Sequence, residues 1–150
     1  MFRKELVIDN KIEEVERLHP FVMDLSNHFS IAAPLANSIN LALEEALVNA
    51  VEYAYNGKSG KITLSAEYVP ATETVVFVLS DTGVAFNPLE YPDADTSLPL
   101  HEREIGGLGI FLIKEIMDKV EYCRKGDMNI LTMYKSFPDK NRDLSGSVVQ

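Results

Sequence analysis

Residues 2–9 alternate between apolar and polar side chains, and that period of two predicts a β-strand. Phe2, Leu6 and Ile8 share one face with Lys4, and Val7 lies opposite. From residue 11 to about residue 29 the period lengthens, and Val15, Leu18, Val22 and Leu25 recur at helical spacing. Asn10 followed by Glu13 has the form of a capping box for that helix. Pro20 lies inside it, removes a backbone donor and predicts a kink or a split. After a connection at 30–33, Pro34 suits the first turn of a second helix, which runs to about residue 55 and stops at Asn56-Gly57. Residues 61–69 and 73–80 read as two strands of an antiparallel hairpin, turning at 70–72. Residues 84–104 break the rhythm with Pro88, Pro92 and Pro99, as a functional lid or a disordered stretch would. A third helix opens near Gly107 and turns Ile110, Ile113, Ile116 and Met117 inward. Residues 120–124 and 128–135 form a last hairpin around Gly126-Asp127.

The order β-α-α-β-β-lid-α-β-β is no steady βα alternation, which disfavours a Rossmann arrangement. It predicts an α+β fold: a two-layer sandwich of a mixed, mostly antiparallel sheet with helices on one face. The chain reads as one domain over residues 1–136, with a polar tail at 137–150 that carries Pro138 and Gly146.

The second helix is apolar nearly all round, through Leu41, Leu43, Ala46, Leu47, Val48, Ala50, Val51 and Ala54. Such a helix should be buried. Yet Glu45, Asn49 and Glu52 stand at i, i+4 and i+7 and share one ridge. Polar groups on a buried helix are costly unless they face water, a partner or a metal. A cavity wall would resolve this. An Asn carbonyl suits Mg²⁺, and a carboxylate suits an attacking hydroxyl. The same ridge would also serve as the solvated side of an amphipathic helix.

Composition narrows the choices. The chain has 150 residues, 46% of them hydrophobic, and a formal net charge of -9. That acidity opposes binding to nucleic acid. No apolar run approaches a membrane-spanning length, and no apolar core of a secretory signal follows residues 1–5, so a cytoplasmic protein with no membrane role is expected. The single cysteine, Cys123, excludes an internal disulfide and a thiolate zinc cage, and reads as a small apolar strand residue.

Two glycine segments add chemistry. Asp81-Thr82-Gly83 ends an apolar strand. A carboxylate there could accept a hydrogen bond from an exocyclic amine, and Gly83 would let backbone approach a flat ring; a plain β-turn has the same composition. Gly106-Gly107-Leu108-Gly109 opens the third helix, where exposed N–H groups and the helix dipole favour an anion. A hinge would also explain those glycines. No Gly-Lys-Ser/Thr ends the run, so it is not a Walker P-loop.

Taken in order, Glu45-Ala-Leu-Val-Asn49, Asp81-Thr-Gly83, Gly107-Leu-Gly109 and Thr132 resemble the ATP-binding boxes of the GHKL superfamily, home of DNA gyrase, a class of heat-shock chaperones and the histidine kinases. The length and the run Glu-Glu-Ala-Leu-Val-Asn-Ala resemble most the bacterial anti-sigma-factor serine kinases of the RsbW type, over about residues 1–135. The resemblance implies a Bergerat-type fold, ATP and Mg²⁺ as cofactors, and serine/threonine-kinase activity on a small STAS-type anti-sigma-factor antagonist. It implies binding of a sigma factor as well, and a homodimer is an expectation of the same kind. Glu45 would be the general base, Asn49 the Mg²⁺ ligand and Asp81 the adenine-reading carboxylate, with Gly83 beside the ring. Thr132 would support Asp81. Gly106, Gly107, Leu108 and Gly109 would hold the phosphates, Arg103 would assist the terminal phosphate, and residues 84–105 would be the lid. The first glycine box departs from the usual pattern at Ala85. No phosphoacceptor-histidine helix pair precedes the domain; His19 and His28 read as surface or packing residues, and His101 falls in the lid. The rival reading is a regulatory module that binds proteins in a nucleotide-dependent way without phosphotransfer.

Overall fold

The computed structural model describes residues 2–90 and 107–137. A hairpin of two central strands forms the middle of one five-stranded sheet. Its strands are β1 (Arg3–Asp9), β2 (Lys61–Val69), β3 (Thr74–Asp81), β4 (Lys119–Lys125) and β5 (Met128–Ser136), in the spatial order β1-β2-β3-β5-β4. Every pairing is antiparallel, so the expected α+β sandwich has a sheet without a parallel pair. Three helices, α1 (Leu18–Phe29), α2 (Ala33–Tyr53) and α3 (Gly107–Ile116), cover one face.

That face is chosen by the alternation itself. Ile62, Leu64, Ala66 and Tyr68 of β2 are buried, as are Val75, Phe77 and Leu79 of β3 and Leu131 and Met133 of β5. Side chains between them point to the other face, which no helix among the described residues covers. Leu25, Ile39, Leu43, Leu47, Ile110 and Ile113 supply the helical half of the core and are all but inaccessible. Each such side chain contributes about 1.5–3 kcal/mol by leaving water.

Local deviations have physical causes. The first helical stretch is split, as Pro20 predicts: a 3-10 turn at Ile12–Arg17 precedes α1. Asn10 does not cap it. Its amide donates instead to the Lys58 carbonyl at 2.7 Å and its oxygen accepts from the Gly60 N–H at 3.0 Å, tying the end of β1 to the start of β2. Lys11 stands at the N-cap without a side-chain bond. Helix α2 ends at Tyr53, before the left-handed pair Asn56 and Gly57, and the Val84 N–H takes up the Ala54 carbonyl at 2.6 Å. His19 is exposed, and the exposed His28 ring packs against Phe2 at 4.7 Å between centroids. His101 lies outside the described residues.

Candidate functional site

Asn49, from the polar ridge of α2, faces a hollow between that helix and the end of the sheet. Asn49 and Asp81 stand on its walls with Ala46, Ala50, Leu79, Phe86, Pro88, Tyr122, Asn129 and Leu131. Its interior is narrow, about 30 Å³ of water-sized space. Ala46 and Ala50 from α2 and Leu79 and Leu131 from the sheet supply apolar lining on both sides.

Asp81 ends β3 on the helix-facing side and is only 8% exposed. Its Oδ1 accepts from the Gly83 N–H at 2.9 Å and from the Asn129 amide at 2.8 Å. Asn129 is its register partner on β5. Asn129 also donates to the Val84 carbonyl at 2.7 Å, and its oxygen accepts from the Phe86 N–H and the Tyr122 hydroxyl. From β4, Arg124 donates to the Gly83 carbonyl at 2.8 Å. The turn that follows β3 is thus bonded from two strands.

This geometry corrects the expectation for Thr132. Thr132 pairs with Val78 and with Glu121, one residue out of phase with Leu131 and Met133, so its side chain leaves the sheet on the uncovered face, away from Asp81. The residue beside Asp81 is Asn129, which reading by residue type passed over. The signal was parity: Asn129, Leu131 and Met133 share one face of the strand.

Gly83, expected beside a flat ring, has a close neighbour in the protein itself. A Cβ there would lie 2.0 Å from the Ala54 carbonyl oxygen, so the close approach that demands glycine is to the end of α2. Phe86, three residues on, stacks on Tyr53 at 5.1 Å between centroids.

Glu45 lies one turn before Asn49 on the same ridge and is half-buried, whereas Glu52 further along is exposed. Burial holds the Glu45 carboxyl above the usual carboxylate range, and the neighbouring charges of Glu44 and Glu52 push it the same way. A Cβ on Gly109 would stand 2.7 Å from Glu45 Oε1, so the first turn of α3 rests directly on that carboxylate. Gly107 opens α3 and Leu108 follows it, so the helix start and its free N–H groups come to the Glu45 end of the ridge. Gly106 and Arg103 lie outside the described residues, as does all of 91–106. Asn49 and Asp81 thus share the wall of the hollow, while Gly109 lies against Glu45, one turn along α2 from Asn49 and outside that wall.

The residues present fit a magnesium nucleotide. The described residues contain no cluster of three or more His, Cys, Asp or Glu able to cage a metal. An Asn oxygen at the wall is the kind of single protein ligand that Mg²⁺ takes when phosphates and water complete its shell.

Comparison with known proteins agrees with this fold. The family model described as the histidine kinase-like ATPase domain matches residues 8–135. A serine-protein kinase RsbW of Halalkalibacterium halodurans is 29% identical over 121 residues, covering 78% of this chain and 73% of that protein. A serine-protein kinase RsbW of Listeria monocytogenes is 32% identical over 102 residues, 64% of this chain and 64% of that protein. Among solved structures, the histidine kinase domain of a blue-light activated histidine kinase from Erythrobacter litoralis shares the fold with a TM-score of 0.54 at 15% identity, over 83% of this chain and 59% of that one.

Proposed function

The chain belongs to the histidine kinase-like ATPase domain family, and we propose that it is an Mg²⁺-ATP-dependent serine/threonine kinase that acts as an anti-sigma factor and phosphorylates a small STAS-type antagonist protein. The observation that carries this reading is the seat of Gly109 on the Glu45 carboxylate, with Asn49 and Asp81 on the adjoining wall. The relatives named serine-protein kinase support the reaction class.

Each residue then has a task its surroundings suit. Asp81 offers an acceptor to the exocyclic amine of adenine, while Ala46, Ala50, Leu79 and Leu131 flank the ring. Asn49 offers its carbonyl oxygen to the cation. The N–H groups at the start of α3 hold phosphate oxygens, and Gly107 leaves them unshielded. Glu45, its carboxyl raised by burial and by Glu44 and Glu52, takes the proton of the partner's serine hydroxyl. Bound Mg²⁺-ATP supplies the transferable phosphoryl group and the charge that neutralises it. Among the described residues no helix is long and apolar enough to cross a membrane, which fits a site in the cytoplasm.

The test is incubation with γ-labelled ATP and a candidate antagonist domain. Wild-type protein should label the antagonist on serine or threonine. Glu45→Ala should lower the rate by about 10²–10⁴-fold, the usual worth of a general base, while ATP still raises the melting temperature by mass action. Binding of the antagonist with no label transferred would instead establish the regulatory module. Wild-type transfer rates from the Glu45→Ala protein would remove Glu45 from its role.

A further inference from the structure

We infer that Tyr55 is a positioning residue that sets the span of the nucleotide site, by fixing the end of α2 to the turn after Asp81; the inference rests on the reading of Asn49 as the cation's ligand and of Asp81 as the base's acceptor. Asn49 stands on α2 and Asp81 at the end of β3. A ligand that meets both at once needs the two elements held at one spacing. Three successive N–H groups follow Asp81, and two of them go to the end of α2. The Thr82 N–H donates to the Tyr55 hydroxyl at 3.0 Å and the Val84 N–H to the Ala54 carbonyl at 2.6 Å. The one between, the Gly83 N–H, donates to Asp81 Oδ1 at 2.9 Å. The helix end and the carboxylate therefore hold alternate donors of a single turn. Asn49 precedes Ala54 by five residues, about 7.5 Å along a helix axis.

The Tyr55 hydroxyl is used to its limit. A hydroxyl has one donor and two acceptor sites. This one donates to the Lys61 carbonyl at 2.6 Å, accepts from the Thr82 N–H and stands 3.3 Å from the Thr82 hydroxyl. Lys61 opens β2, so one oxygen ties together α2's end, β2 and the turn after β3. The ring below it is fixed as well. It is buried, and a Cβ on Gly60 would fall within it. Gly60 is held in turn by Asn10: its N–H donates to the Asn10 side-chain oxygen and its carbonyl accepts from the Asn10 N–H, both at 3.0 Å. Phenylalanine would fill the same seat and make none of the hydroxyl's contacts. Tyr55 stays off the wall of the hollow, so it acts on a ligand only through the residues it holds. Two contacts already in line bind more tightly than two that must be ordered first, because the second is made without further ordering cost. Tyr55 therefore matters most to a ligand that uses both walls.

The experiment measures dissociation constants of ADP with and without Mg²⁺ by calorimetry, on the full chain, for wild type, Tyr55→Phe and Val75→Ala. Val75 is buried at the other end of β3 from Asp81, and cutting it back supplies a destabilised control. Wild type should bind ADP more tightly with Mg²⁺ than without. Tyr55→Phe should weaken Mg²⁺-ADP by about fivefold, the worth of one hydrogen bond, and metal-free ADP by less than about twofold, so that the gain from the metal shrinks. Val75→Ala should lower Tm and leave that gain as it is in wild type. Equal losses with and without Mg²⁺, no loss at all, or a gain that shrinks alike in Val75→Ala would make Tyr55 a merely structural residue and overturn the inference while leaving Asn49 as the ligand. A wild-type protein that binds ADP alike with and without Mg²⁺ would overturn the reading of Asn49 as well.

Discussion

The two halves of the candidate site, around Asp81 and around Glu45, are built on opposite principles. At the Asp81 end, Asn129, Gly83 and Arg124 bind the chain to itself through bonds from β3, β4 and β5. At the Glu45 end, a half-buried carboxylate sits beside like charges, against a glycine, with its proton affinity raised by that setting. One end is complete before any ligand arrives. The other holds groups at a cost that a ligand would relieve. A site that must recognise a rigid ring and then move a proton benefits from both, because recognition needs fixed donors and acceptors while transfer needs a group poised near neutrality.

Two glycines give the sharpest way to break this contrast, because the same substitution should fail differently at each end. At Gly83 a Cβ would collide with backbone, the Ala54 carbonyl at 2.0 Å, and the end of α2 has no room to retreat while the Val84 N–H holds the same carbonyl. Gly83→Ala should cost about 2–3 kcal/mol of stability and lower Tm by roughly 5–12 °C in a thermal melt. If Tm stays within a degree of wild type, the turn is less fixed than its bonds imply. At Gly109 a Cβ would meet only the tip of the flexible Glu45 side chain. Gly109→Ala should therefore keep Tm nearly unchanged and lower phosphoryl transfer, by up to about 10²-fold if the carboxylate is displaced by an ångström. The rate of label transfer, read beside the melt, separates the two outcomes. A Gly109→Ala protein with full transfer would mean that Glu45 tolerates displacement.

A smaller effect tests why the Glu45 end is tense. Burial is the first cause of its raised carboxyl, and Glu44 is the larger of the two charged contributors. Glu44 is exposed, so Glu44→Gln removes charge without touching the core. The Glu45 pKa should fall, the deprotonated base should appear at lower pH, and the acid limb of the transfer rate should move to lower pH. The sign carries over to stability. A carboxyl raised on folding supports the fold below its unfolded pKa, and that support is lost as pH rises through the folded value. Glu44→Gln narrows that window from its upper edge. A pH–rate profile that does not move would place the cause of the shift in burial alone, and one that moves upward would contradict the role given to Glu44.

What the sequence showed of this molecule follows from range. The strands at β2 and β3 and the all-apolar α2 were legible because alternation and helical spacing are local, and Glu45 and Asn49 stood out as exceptions to a local pattern. Pro20 announced its split for the same reason. Asn10 misled because its partners, Lys58 and Gly60, are about 50 residues away and outcompete the helix it precedes. The contact of Gly83 with Ala54 was not legible, because only the fold brings the two together. Thr132 misled most usefully. Met128 to Tyr134 carries apolar groups on both parities, so β5 alone does not say which face is buried; the pairing of Asp81 with Asn129 does, and that register is a long-range fact.

The expected null effect at Thr132 is for that reason a strong test of the register. On the uncovered face, Thr132 sits between Val78 and Glu121, and its hydroxyl takes no part in the bonds around Asp81. Thr132→Val keeps the shape, suits a strand at least as well and removes only the hydroxyl. ATP affinity should stay within about twofold of wild type, inside the ±0.5 kcal/mol usual for surface changes. A tenfold loss of ATP binding from Thr132→Val would require its hydroxyl on the Asp81 side, which means a slip of β5 by one residue. Such a slip would turn Leu131 and Met133 out of the core, so the same variant's calorimetric ligand titration decides between two packings of the whole sheet.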